Sequence, residues 1–157
     1  MKDDLDESLH LFVVLSRASE WVMAHAHRDI RRHGLNPTEY GVLELLYHKG
    51  PQPLQQIGSK ILMTSGNITY VVDKLEDKGL VRRRPSEEDR RVSFAEITEE
   101  GREFLGEAFP SHREAIAHAV SALSPEEKQQ AISLLRKLGL AAKENFKCAP
   151  IPGAKQP

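Results

Sequence analysis

The sequence is poor in cysteine and has no long apolar run. Its single cysteine, Cys148, excludes a framework of intramolecular disulfide bonds and is typical of a protein in a reducing compartment. No stretch approaches the roughly 18 consecutive apolar residues that a membrane span needs. The opening MKDDLDESLH is acidic and lacks the basic start and apolar core of a secretion signal. We therefore expect a cytoplasmic protein with no membrane partner.

Sequence signals of catalysis are missing as well. There is no glycine-rich phosphate loop, no nucleophile elbow and no pair of carboxylates in a suitable setting, so we expect no enzyme and no cofactor. The seven histidines do not follow metal-ligand spacing. His25 and His27, for example, are two residues apart and diverge on a helix. The sequence therefore predicts no metal site.

Positive and negative side chains are nearly equal in number, which gives a formal net charge of −1, but they are unevenly distributed along the chain. Residues 78–91 contain six basic side chains against three acidic ones, and five of the six are arginines in VRRRPSEEDRR. Taken alone, this run fits two structures equally well. It is either a solvated hairpin with weak surface ion pairs or a surface that contacts a polyanion.

Helical periodicity dominates both ends of the chain. A helix is predicted from about Asp4 to His33, with an apolar face broad enough to pack on a partner subunit as well. A second begins at Asn36-Pro37 with Glu39 in a capping-box role, and stops at Gly50. Near the C-terminus, Thr98 opens a helix that reaches about Leu123. Ser124 caps a last helix, whose predicted inward residues are Ala131, Leu134, Leu135 and Leu138.

The middle of the chain has the order of a winged helix-turn-helix. A short helix over Leu54–Ile61 and a joint at 62–64 lead to a helix over Ser65–Lys78, closed by Gly79. Two strands follow, Leu80–Arg84 and Arg91–Thr98, with a turn between them. A recognition helix must offer small and polar side chains to a major groove. The second helix does so with Ser65, Gly66, Asn67, Thr69 and Tyr70, and the hairpin then supplies arginines for phosphates or the minor groove.

From NPTEYGVLELLY to EITEEGRE the sequence resembles the MarR-type bacterial transcriptional regulators. The wing EEDRRVSFAEITEEG carries the family's D-R-R and L-T-x-x-G patterns, with Ile97 in place of leucine. The resemblance implies an obligate homodimer on a pseudo-palindromic operator, usually a repressor. It also implies release from double-stranded DNA by a small, often aromatic ligand bound between the dimer helices and the DNA-binding lobe. The segments PTEYGVLELLY and SGNITYVVDKLE are most similar to the branch that responds to quinones and catechols.

The resemblance also implies roles for individual residues. Asp89 would brace Arg91, and an arginine of the Arg90–Arg91 pair would enter the minor groove. Thr64 would form the N-terminal edge of the recognition helix. Apart from the resemblance, the position of Lys74 on the helix predicts a phosphate contact, unless it pairs with Asp77 three residues on. Organic-hydroperoxide sensors of the family carry a reactive cysteine near the start of the chain, and none stands there in this sequence. Candidates to line an aromatic-ligand pocket, each also interpretable as plain core, are Phe12, Trp21, Tyr40, Tyr47 and His48.

These predictions divide the chain into four segments. Residues 1–34 form an N-terminal dimerisation helix, 35–98 a DNA-binding lobe, 99–146 the C-terminal dimerisation helices, and 147–157 a disordered tail. A winged-helix dimer that serves as a protein-interaction module, without operator binding, is the alternative. The orientation of Arg82, Arg83 and Arg84 stays open, because alternate residues of a strand face opposite sides.

Overall fold

The computed structural model describes residues 2–61 and 67–148, which form six helices and one antiparallel sheet. The mainly helical fold class with a hairpin wing is confirmed. The predicted joint at 62–64, Ser65, Gly66 and most of the predicted tail lie outside the described residues. None of the described helices is long and apolar enough to cross a membrane. In chain order the elements are α1 (Lys2–Arg32), α2 (Pro37–Lys49), β1 (Gln52–Pro53), α3 (Leu54–Lys60), α4 (Ile68–Asp77), β2 (Val81–Pro85), β3 (Ser93–Ile97), α5 (Glu99–Ala119) and α6 (Pro125–Cys148).

Two predicted capping boxes are confirmed. At the start of α2, the amide of Glu39 donates to Oδ1 of Asn36 at 2.9 Å, and the amide of Asn36 donates to Oε2 of Glu39 at 2.8 Å. At the start of α6, the amide of Glu127 donates to Oγ of Ser124 at 3.2 Å, and the amide of Ser124 donates to Oε2 of Glu127 at 2.7 Å. Amides that the first helical turn leaves unpaired are satisfied in this way, so each helix start is fixed locally.

The apolar core lies between α2, α3, α4 and the sheet, and the predicted inward faces of α3 and α4 are confirmed. Leu43, Leu46, Ile57, Val72 and Leu75 are fully buried. The C-terminus of α4 is tied to the start of α2 by an ion pair, because Nζ of Lys78 lies 3.0 Å from both carboxylate oxygens of Glu39. Since Glu39 is only 5% exposed, this ion pair orients α4 on the core.

The sheet has three strands in the order β1-β3-β2, one more than the sequence predicts. Strand β1 has only two residues, which is too short for any visible alternation, and one of them is Pro53. In β3, Phe94 lies on the partly exposed face, whereas the buried residues are Ala95 and Ile97. Buried and partly exposed residues therefore alternate along β3. The face that packs on the core carries Ala95 and Ile97, and Phe94 lies on the other face.

The base of the wing is joined to α4 and α5 by a short set of bonds around Thr98. Its hydroxyl donates to the carbonyl of Gly79 at 2.7 Å and accepts the amide of Gly101 at 3.0 Å. The backbone of Gly79 has φ +74°, which closes α4 as predicted. Gly101 packs so closely that a Cβ atom there would lie 2.2 Å from the carbonyl oxygen of Leu80. The glycine of the wing motif is therefore required by packing.

The chain divides into two compact units after Ala119. In the first, α1 packs along α5 through its C-terminal part, where Ala26 and Ile30 are buried. The N-terminal part of α1 leaves large apolar side chains exposed, namely Leu5, Leu9, Leu11, Phe12 and Trp21.

The second unit contains α6, which buries none of its residues. The prediction that its apolar residues face inward is wrong within this chain, since Leu134 is 67% and Leu135 is 51% exposed and neither Ala131 nor Leu138 is buried. The physical reason is that the described part of this unit offers α6 no second element to pack on. Its predecessor α5 also ends at Ala119, before the predicted Leu123, because a turn must precede the Ser124 cap.

Candidate DNA-binding surface and ligand cleft

The exposed face of α4 carries the polar side chains predicted to read DNA. Thr69 and Tyr70 are exposed in its first turn, and Lys74 follows one turn later. Nζ of Lys74 lies 5.4 Å from the centre of the Tyr70 ring. Among the described residues Lys74 makes no ion pair with Asp77, the alternative partner that the sequence allowed. Its charge therefore stays on the exposed face beside Tyr70.

The first described residue of this surface is a helix cap. Asn67 has an extended backbone (φ −79°, ψ 117°), and its Oδ1 accepts the amide of Thr69 at 2.9 Å. The helix begins at Ile68, so the prediction that it already includes Asn67 is wrong. Asparagine favours this place because its side-chain oxygen pairs with an amide that the first turn leaves unsatisfied. Thr64, Ser65 and Gly66 lie outside the described residues.

Arg83 of β2 is bound to α4. Its Nη1 lies 2.6 Å from Oδ1 of Asp73 and also contacts Oε2 of Glu76. Its Nη2 donates to the carbonyl of Thr69 at 3.2 Å, and its backbone amide donates to Oε1 of Glu76 at 2.9 Å. Arg83 thus joins the wing to three successive turns of α4.

Arg82 and Arg84 lie on the other face of β2 and share one acid. Nε of Arg82 is ion-paired with Oε1 of Glu96, which stands directly opposite it on β3. Nε of Arg84 lies 3.6 Å from the other carboxylate oxygen. The Glu96 side chain is only 15% exposed. The arginines that the sequence left unassigned are therefore all paired within the chain.

The wing tip is held by side-chain bonds to backbone amides. The hydroxyl of Ser86 accepts the amide of Asp89 at 3.3 Å, and Oδ1 of Asp89 accepts the amide of Arg91 at 2.9 Å. The predicted brace by Asp89 exists, but it acts on the backbone of Arg91. Arg90 and Arg91 are exposed, and neither has an acidic partner within 4.0 Å in the part of the chain that the structure describes.

A small apolar cleft of about 190 Å³ lies between α2 and α5. Three of the five predicted ligand residues line it: Tyr40, Tyr47 and His48. Phe12 and Trp21 do not, since both are exposed on α1, 66% and 68% respectively. The remaining lining residues are Glu44, Leu105, Gly106, Phe109 and Pro110.

Sequence reasoning missed these other residues for two reasons. Glu44 shares a helix face with Tyr40, Tyr47 and His48, from which it is four, three and four residues away, so helical periodicity could have included it. The α5 residues carry no such signal, because they reach the cleft only through the packing of α5 on α2. Pro110 lies inside α5, where a proline is rare, and still lines the cleft.

Tyr40 is the most unusual residue of the cleft. It is only 1% exposed, and its hydroxyl has no hydrogen-bond partner among the described residues. Burial, followed by the carboxylates of Glu44 and Asp29, raises the pKa of Tyr40 from 10.0 to about 12. The hydroxyl therefore stays protonated at neutral pH and keeps a proton that it can donate.

Behind Tyr40, a buried carboxylate joins α1 to α5. Asp29 is 5% exposed; its Oδ1 accepts the hydroxyl proton of Ser111 at 2.9 Å, and its Oδ2 lies 3.3 Å from Nδ1 of His112. The ring centres of His112 and Tyr40 are 4.8 Å apart. Nε2 of His33 lies 2.7 Å from the Ser111 hydroxyl. Sequence patterns missed this cluster, because its members are about 80 residues apart and meet only in the fold.

Comparison with known proteins places these features in a family. The sequence model of the MarR family matches residues 35–93. The chain is 55% identical to the HTH-type transcriptional regulator MhqR of Bacillus subtilis (strain 168) over 139 residues, which cover 88% of this chain and 96% of that protein. The chain belongs to the MarR family.

Other relatives agree in sequence and in structure. Transcriptional repressor MprA of Escherichia coli (strain K12) is 30% identical over 74% of this chain and 68% of its own length. Sco3205, a MarR-family transcriptional regulator from Streptomyces coelicolor, has been crystallised in complex with DNA. It superposes with a TM-score of 0.76 at 26% identity, over 87% of this chain and 91% of that one.

Proposed function

We propose that this protein is a homodimeric, sequence-specific DNA-binding repressor. It binds a pseudo-palindromic operator and is released from it by a small aromatic or electrophilic compound. One observation carries this proposal. Arg90 and Arg91, at the tip of the wing, are exposed and have no acidic partner among the described residues, whereas the other wing arginines are ion-paired. The DNA complex of the relative Sco3205 supports the same function.

Two parts of the lobe at residues 35–98 share the DNA contacts. The exposed face of α4 reads bases, because it presents short polar groups and Tyr70 without bulky aliphatic side chains. The wing tip positions the protein, with Arg90 or Arg91 in the minor groove and Asp89 holding the turn. The full set that we assign to DNA is Thr64, Ser65, Gly66, Asn67, Thr69, Tyr70, Lys74, Asp89, Arg90 and Arg91.

Homodimerisation is supported by the apolar side chains that the single chain leaves exposed. Leu9 and Phe12 of α1 and Leu134 and Phe146 of α6 are each more than half exposed, from 60% to 86%. Such surfaces are costly in water, and covering them with a second copy removes that cost. Residues 1–34 and 99–146 are therefore the dimerisation segments in this proposal.

The cleft between α2 and α5 is the proposed effector site. A dry cavity of about 150 Å³ can hold benzene, so about 190 Å³ suits a compound with one ring. The protonated hydroxyl of Tyr40 needs an acceptor, and the carbonyl oxygen of a quinone or the hydroxyl of a phenol provides one. The resemblance to the quinone- and catechol-responsive branch agrees with this chemistry. We further propose that Phe12 and Trp21, which are exposed on α1 in the single chain, join the site only when the dimer forms.

In this proposal the protein works in the cytoplasm by binding alone, with no enzymatic activity, metal or cofactor. The test measures its affinity for the intergenic DNA upstream of its own gene and for a scrambled duplex of equal length. We expect at least tenfold preference for the intergenic duplex, and its release by a single-ring quinone or catechol. Equal and weak affinity for both duplexes would favour the alternative, a protein-interaction module.

A further inference from the structure

Arg83 sits in the wing, and its side chain points to α4. Its guanidinium contacts Asp73, Glu76 and the carbonyl of Thr69, all on α4. The side chain is 29% exposed, whereas Arg82 on the opposite face of the strand is 70% exposed. The positive charge of Arg83 is therefore paired with acids of the recognition helix itself.

The two acids that Arg83 contacts lie where their negative charge would repel a bound polyanion. Asp73 lies on the same exposed face of α4 as Tyr70 and Lys74, and its side chain is 51% exposed. Glu76 follows one turn later and is 30% exposed. A carboxylate on the groove-facing surface would repel DNA phosphates, and like charges brought together at an interface weaken binding strongly.

We propose that Arg83 is a positioning residue. It raises the affinity of the recognition helix for DNA without contacting DNA itself. It neutralises Asp73 and Glu76, which removes their repulsion of DNA phosphates. This inference rests on the proposed function, because it assigns a role within the same DNA-binding surface.

The identity of the residue fits this role. Arginine offers a planar fork of donors, which reaches two carboxylates and a carbonyl at once, whereas the ammonium group of lysine is a compact point charge. Partly exposed ion pairs contribute little to the stability of a fold. The effect of Arg83 should therefore appear in DNA affinity much more than in thermal stability.

The experiment compares five full-length proteins on the intergenic duplex upstream of the gene: wild type, Arg83→Ala, Asp73→Asn/Glu76→Gln, the triple variant that combines them, and the control Arg82→Ala. We expect Arg83→Ala to bind roughly 10- to 100-fold more weakly. The triple variant should recover to within about threefold of Asp73→Asn/Glu76→Gln, because the acids that needed neutralising are gone. Arg82→Ala is the matched control and should change affinity less than about threefold, since its partner Glu96 lies away from α4.

A second readout separates this role from a phosphate contact. The slope of log affinity against log salt should be the same in the triple variant and in wild type, because no phosphate contact is lost. A slope smaller by about 0.9 would mean that Arg83 itself binds a phosphate. Failure of the triple variant to recover would also overturn the inference, while wild type would still bind.

Folding is checked separately from the rescue. Thermal melting of each variant shows whether the lobe is intact, and Arg83→Gln, which keeps the stem and a planar head, replaces Arg83→Ala if that variant unfolds. If wild type itself fails to prefer the intergenic duplex over a scrambled one, the proposed function fails first, and this inference fails with it.

Discussion

The backbone amide of Arg91 donates a hydrogen bond to Oδ1 of Asp89 at 2.9 Å. This bond sets the path of the chain at the wing tip and leaves the guanidinium of Arg91 unpaired among the described residues. The acids of the tip therefore do not cancel its arginines. Asp89 orders the turn in which Arg90 and Arg91 are presented, so its role depends on an acceptor oxygen and not on its charge.

The first prediction tests this distinction at Asp89. Asp89→Asn keeps an oxygen that can accept the Arg91 amide, and we expect its DNA affinity to stay within about threefold of wild type. Asp89→Ala removes the acceptor, and we expect about a tenfold loss, the scale of one hydrogen bond in an ordered turn. Affinities are measured by fluorescence anisotropy on the same duplex. An equal loss in both variants would show that the negative charge itself matters.

A second prediction concerns Asn67, which is both a helix cap and a candidate base contact. Asn67→Ala removes the cap on the Thr69 amide, and we expect it to lower the free energy of unfolding by about 0.5–2 kcal/mol. Asn67→Ser retains a capping oxygen but lacks the amide donor. We expect it to keep its stability and to lose preference at one base pair, measured on duplexes substituted singly across the operator. Unchanged preference in Asn67→Ser would remove Asn67 from the reading residues.

Two glycines of α5 give a third prediction with an internal control. Gly101→Ala places a methyl group 2.2 Å from the carbonyl oxygen of Leu80, and we expect a destabilisation of about 1–3 kcal/mol or more. Gly106→Ala meets nothing within 4 Å and should be neutral or stabilising by up to about 1 kcal/mol. Urea unfolding of both variants checks this. Similar values for the two would contradict the close packing at the wing base.

A fourth prediction uses the raised pKa of Tyr40. The folded pKa of about 12 lies above the ordinary 10.0, so ionisation of the phenol opposes folding: stability is fully present below about pH 10 and is lost as the pH rises toward 12. We therefore expect the wild type to lose stability between pH 10 and 12 more steeply than Tyr40→Phe. Urea midpoints measured across this range for both proteins give the difference.

The same variant separates folding from effector response. At neutral pH the Tyr40 hydroxyl has no partner among the described residues, so Tyr40→Phe should be at least as stable as wild type. Its response to a quinone or catechol should nevertheless weaken, because the proton donor is gone. An unchanged effector concentration at half-release would exclude the Tyr40 hydroxyl from the effector site.

Local signals in the sequence predicted most of the fold. Asn36, Glu39, Ser124 and Glu127 form the predicted caps, since capping depends on residues three apart in the chain. The apolar faces of α3 and α4 follow from helical periodicity alone. The prediction failed for α6, which has a periodic apolar face but no buried residue, because the described part of its own unit holds no second element to cover that face.

The functional surface was harder to predict than the fold. Arg82, Arg83 and Arg84 alternate along β2, but only the register with Glu96 and the position of α4 decide which acid each one contacts. In the same way, Tyr40 and Tyr47 were recognisable on one helix face, whereas their partner Phe109 comes from α5. Contacts between distant segments carry no periodic signal, so the fold was needed to find them.

In the proposed function, Arg90 and Arg91 of the wing tip, together with α4, bind duplex DNA through its phosphates. The most direct test is the affinity of the wild-type dimer for its own upstream duplex between about 50 and 200 mM salt. We expect log affinity to fall linearly with log salt, with a slope of about −0.9 for each phosphate contacted, and the slope to become shallower when Arg90 and Arg91 are both replaced by alanine. An affinity that does not change with salt, or a slope that the double replacement leaves untouched, would contradict the account.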